Sequence, residues 1–78
     1  MAIVSIILGI LEAIPSLLKA FQEIIALIHG MPLGSRWQAI TTFETNLASW
    51  SKRAKTEPEA VAAEVHGHAL ALKSTTAA

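Results

Sequence analysis

The first thirty residues carry only three charges, Glu12, Lys19 and Glu23. The rest of the stretch is dominated by Ile, Leu, Val, Phe and Ala. A segment this apolar cannot stand in water over most of its surface, so its burial is the first problem the fold has to solve. On a helical wheel, Ser5, Gly9, Glu12, Ser16, Lys19 and Glu23 recur at spacings of 4, 3, 4, 3 and 4. They fall within an arc of about 80° at 100° per residue. The pattern predicts a long helix over residues 2–29 that is apolar around most of its circumference, with one narrow seam of polar and small residues. His29, Gly30 and Pro32 mark its end. Pro15 sits inside it and either kinks the helix or splits it in two.

The remainder predicts two shorter amphipathic helices. Ser35-Arg36-Trp37-Gln38 has the form of a capping box. After it, Trp37, Ile40, Phe43, Leu47, Trp50 and Ala54 recur at helical spacing. Lys52, Arg53 and Lys55 near the end complement the helix dipole. Thr56-Glu57-Pro58-Glu59 is a second capping box, with Pro in the first turn, where it is tolerated. A weaker apolar stripe follows through Ala60, Val61, Val65, Ala69 and Leu72, with Gly67 in its middle. The expected class is therefore all-α. Its parts are an apolar membrane- or interface-buried helix over 1–30, a Gly/Pro loop over 31–35, an amphipathic helical hairpin over 36–73 and a frayed tail over 74–78.

Composition sharpens the question of what covers the first helix. The chain has 78 residues, 53% of them apolar and 15% charged. A domain this small hides only a modest core, so the apolar surplus calls for lipid, copies of the chain or a partner protein. A 28-residue helix would reach roughly 42 Å, enough to cross a hydrocarbon core of about 30 Å. Thirteen Leu and Ile with Val4 and Phe21, at about −0.5 kcal/mol each, are offset by three charges at about +2.5 to +3.5 kcal/mol each. A lone helix would insert poorly, whereas copies with their seams facing inward could insert. In that case the cations after residue 35 would place the C-terminal part on the cytoplasmic side or inside an enclosed particle. A secretory signal is a poorer match, because no positive segment precedes the apolar run and Glu12 interrupts it.

Several motifs have a bland reading beside the functional one. Trp37 and Trp50 share the apolar stripe of the second helix and could anchor it at a membrane interface, or pack against the first helix. Gly30-x-x-x-Gly34 is a loop, since Pro32 breaks it. Ser5-x-x-x-Gly9 lies on the seam and would permit close helix approach. His66 and His68 point to opposite sides of a helix and cannot chelate together, while Glu64 and His68 would form only a two-ligand pair.

Catalysis has little to work with. The chain contains no Asp, Cys or Tyr, and it has no phosphate loop, nucleophile elbow or dinucleotide fingerprint. A net charge of zero argues against nucleic-acid binding. No catalytic, metal or cofactor site and no small-molecule substrate is expected.

The sequence thus points to a small non-enzymatic structural or membrane-associated assembly subunit, such as a minor component of a phage or virus particle or of a membrane complex. It would self-associate or join a larger protein assembly, in a membrane, in a membrane-associated or viral particle, or as a soluble assembly. The seam residues would make its contacts, with Trp37 and Trp50 as anchors. Two alternatives stand beside it. One is a pore-forming, holin-like membrane protein whose seam lines the lesion. The other is a soluble helical adaptor that docks its apolar helix into a partner.

Overall fold

Pro15 decides the architecture. In the computed structural model, which describes residues 3–76, helix α1 (Ile3–Ala13) stops two residues before it. A single 3₁₀ turn (Pro15–Leu17) follows, and α2 (Leu18–His29) begins there. Proline has no N–H to give and its ring crowds the preceding turn. It also pushes the residue before it out of the helical region, and Ile14 adopts φ −135°, ψ 78°. The expected long N-terminal rod is therefore two helices of 11 and 12 residues. No helix among the described residues is long and apolar enough to cross a membrane. The expected start of the first helix at Ala2 lies outside the described residues.

Splitting the rod lets both halves bury one face within the chain. α1 packs chiefly on α3 (Leu33–Arg53) and α2 chiefly on α4 (Pro58–Thr76). One apolar core results. Ile7, Ile10 and Ile14 enter it from α1 and the residue beyond, and Leu17 enters from the turn. Ala20, Phe21, Ile24 and Ile28 come from α2, Phe43, Leu47 and Trp50 from α3, and Val61, Val65 and Ala69 from α4. At its centre Phe21, Phe43 and Trp50 form a triangle with ring centroids 6.2–6.3 Å apart, at tilted and edge-on angles that suit aromatic quadrupoles.

The boundaries differ from the expected ones in three places, one being that Glu57, not Thr56, immediately precedes α4 and its carbonyl accepts the Val61 N–H. α2 ends at His29, and the Gly30 N–H donates to Ala26 O at 3.1 Å. However, α3 begins at Leu33, with Pro32 in extended conformation (φ −58°, ψ 153°) as its N-cap. Gly34 and Ser35 thus lie in the first helical turn, and Ser35 is not the cap. At the C-terminal end the helix continues through Thr76, so 74–76 are helical, and Ala77 and Ala78 lie outside the described residues. α4 itself starts at Pro58, the position where a missing N–H costs nothing.

Candidate docking surface

The core leaves several large apolar side chains in water, Leu18 and Leu70 on α2 and α4 among them. Leu33 and Trp37 are each 72% exposed, Val4 69% and Leu8 56%. Leu33 and Trp37 are one turn apart on α3, and Val4 and Leu8 are one turn apart on α1. Ile40, a turn beyond Trp37, forms one wall of an apolar hollow of about 230 Å³ with Ile3 and Val4 of α1 and Ile25 and His29 of α2. Ile28 and Phe43 complete its lining. The Trp37 ring does not line the hollow; the residue sits one turn of α3 away from Ile40, which does.

The presentation of Leu33 and Trp37 is held by the α2–α3 connection. Arg36 Nη2 donates to His29 O at 2.9 Å and to Met31 O at 3.1 Å. A guanidinium on the last carbonyls of a helix satisfies groups that the helix leaves unpaired and suits its dipole. It also ties the first turn of α3 to the end of α2. Met31 is buried between them. The side chain that looks in sequence like a free cation next to Trp37 is therefore occupied as a clamp.

The seam expected to carry contacts faces outward. Ser5, Gly9, Glu12, Ser16, Lys19 and Glu23 are all exposed, and the fold divides them between α1, the 3₁₀ turn and α2. Glu23 Oε1 lies 3.5 Å from Lys73 Nζ of α4. A Cβ added at Gly9 would meet nothing within 4 Å, so no close helix approach within the chain requires glycine there. The two tryptophans expected together as anchors part company. Trp50 is 2% exposed at the centre of the core, and Trp37 projects from it.

The opposite flank of α3 is closed by α4. Asn46 Nδ2 lies 3.4 Å from His68 Nδ1, and Trp50 Nε1 donates to Glu64 Oε1 at 3.3 Å. Arg53 grips both oxygens of Glu64, with Nη1 to Oε1 at 2.9 Å, and its Nε also reaches Glu57. The hydrogen bonds to Arg53 hold the Glu64 carboxyl below the usual carboxylate range. Those to Glu64 in turn raise the Arg53 guanidinium further.

His68 stacks on Phe43 with centroids 5.8 Å apart and meets the Trp50 edge at 5.7 Å. The Asn46 amide nitrogen can only donate, so Nδ1 accepts and the neutral ring carries its proton on Nε2, which is buried without a partner. Burial lowers the His68 pKa. His68 also lines a cleft of about 370 Å³ with Ser35, Gln38, Thr42 and Thr75. Glu64 is engaged by Arg53 and Trp50, so the Glu64/His68 pair is not left to a metal. Among the described residues no three His or carboxylate side chains are grouped to hold one.

The chain matches no family model, no curated protein and no solved structure.

Sequence reasoning named Trp37 as an anchor but missed the exposure of Val4 and Leu33 and the parting of Trp37 from Trp50. A signal for the parting was present: Trp37, Ile40 and Phe43 follow at spacings of 3 and 3. Two consecutive threes turn a stripe backward by about 120° on a 3.6-residue helix, which moves Trp37 off the buried face.

Proposed function

We propose that this chain is a small non-enzymatic assembly subunit that joins a larger complex through the apolar face of α1 and the first turns of α3. The observation that carries the reading is the exposure of Trp37 and Leu33, 72% each, beside an apolar hollow. The core already contains Trp50, Phe21 and Phe43, so the fold does not need a further aromatic outside it. Contiguous exposed apolar surface on a small domain marks contact sites, and Trp is among the residues that dominate binding energy. The recognition surface in this reading is the Trp37 face, and the polar seam that borders Val4 and Leu8 on α1 stays solvated.

The test is site-specific photo-crosslinking in cells that make the chain. A benzophenone amino acid replaces Trp37 in one variant and Ser16, on the seam, in another. Discrete protein adducts at position 37 and few at position 16 are expected. Equal labelling at both positions, or adducts at position 16 alone, would overturn the assignment of the face. No protein adduct at either position would overturn the assembly role.

A further inference from the structure

We propose that the partner covering this face is a second copy of the chain, with Trp37 of each copy seated in the hollow beside Trp37 of the other. The inference rests on the assembly reading and names its occupant.

A two-fold dimer uses one patch on both partners, so that patch must be complementary to itself. This one carries an exposed aromatic one helical turn before Ile40 on α3, and Ile40 with Ile3, Val4 and Ile25 bounds a hollow between α1, α2 and α3. At about 230 Å³ the hollow lies below the roughly 300–1,000 Å³ of small-molecule pockets. It is of the order of one large side chain. Its walls are apolar apart from His29, as the site of a buried anchor would be.

The area agrees with this reading. Val4, Leu8, Ile25, Leu33 and Trp37 leave about 500 Å² of apolar side chain in water, a Trp alone carrying roughly 150–250 Å². A standard interface takes about 800 Å² from each partner, and in homodimers about two-thirds of it is apolar. The exposed apolar surface is thus what one half of such an interface requires.

Net charge does not oppose the pairing. The chain is neutral overall, and Arg36, the cation nearest Trp37 in sequence, is bound to the carbonyls of His29 and Met31. A bilayer surface would instead call for free basic residues around the aromatic.

Sedimentation velocity over a wide concentration range tests the proposal on the wild-type chain, Trp37→Ala, Val4→Asp and Gly9→Leu, with circular dichroism checking that each is folded. The wild type is expected to pass from one to two chains as concentration rises. Trp37→Ala and Val4→Asp, both at exposed positions, should each weaken dimerisation by about 30-fold or more, the effect of a hot-spot truncation. Gly9→Leu on the seam should leave the dimer intact. A wild type that stays monomeric throughout would overturn the second copy while leaving the assembly reading to its crosslinking test. A dimer that survives both Trp37→Ala and Val4→Asp would overturn the seating of Trp37. A dimer lost only in Gly9→Leu would transfer the contact to the seam.

Discussion

Trp37 and Trp50 stand thirteen residues apart on the same helix and have opposite fates. Trp50 is 2% exposed, wedged edge-on against Phe21 and Phe43, with its indole N–H donating to Glu64. Trp37 is 72% exposed, and among the described residues its indole makes no hydrogen bond or ring contact. Thirteen residues at 100° each place the two side chains about 140° apart around the helix. The centre of the face formed by Phe43, Leu47, Trp50 and Ala54 is roughly 110° from Trp37. Two residues of one type, read from the same stripe, thus differ because Trp50 lies on the face of α3 that enters the core and Trp37 lies well off it. The contrast separates a residue that holds the fold from one whose exposure the fold leaves unexplained.

The largest effect should come from truncating the buried member. Trp50→Ala removes the centre of the aromatic triangle and leaves Glu64 short of a donor. Its expected cost is about 3–5 kcal/mol of folding stability, measured by urea denaturation. A loss below about 1 kcal/mol would break the contrast by showing that Trp50 is dispensable to the core.

Next comes the closed flank's response to pH. Burial against Phe43 and Trp50 lowers the His68 pKa. Below its ordinary value near 6.5 the unfolded imidazole takes up a proton that the native one refuses. Stability should therefore be complete above about pH 6.5, fall as the pH drops below it, and level off once the native ring also titrates. Thermal melts from pH 7.5 to 5 should show this slope in the wild type and a shallower one in His68→Gln. At lower pH a second decline is expected as the Glu64 carboxylate, held ionised by Arg53, is finally protonated. Arg53→Met should flatten that acid limb and leave the higher-pH one alone.

A smaller effect of opposite sign is expected at exposed helical glycines. A Cβ at Gly67 would meet nothing within 4 Å. Gly67→Ala should then stabilise the chain by about 0.5–1 kcal/mol in the same denaturation assay. The smallest change belongs to Trp37. Trp37→Ala should alter folding stability, measured where the chain is monomeric, by no more than about 0.5 kcal/mol. A loss as large as that of Trp50→Ala would make Trp37 a core residue and remove it from the docking surface.

Much of the helical content was legible from local signals. Gly30 and Pro32 ended α2 at His29, and Pro58 opened α4. Ser35 misled, because a capping box two residues inside α3 competes with the extended backbone at Pro32, which precedes Leu33. The candidate site was less legible. Five of the six seam positions are polar or charged side chains, and a wheel separates these from apolar ones without saying which apolar residues find a partner. Val4 and Leu8 read as apolar in the same way as Ile7 and Ile10, yet only the latter pair meets the core.

The sequence by itself determined that the chain is helical, where most of its helices stop, and that something must break at Pro15. These follow from backbone sterics and hydrogen bonding within a few residues, and such forces act in any tertiary setting. Only the tertiary structure decided that the break folds α1 onto α3 and α2 onto α4, that one face of the apolar rod is thereby buried within the chain, and that Trp50 is covered while Trp37 is not. Burial depends on which faces meet across distant segments, and periodicity along one helix carries the direction of a face but not the presence of what will cover it.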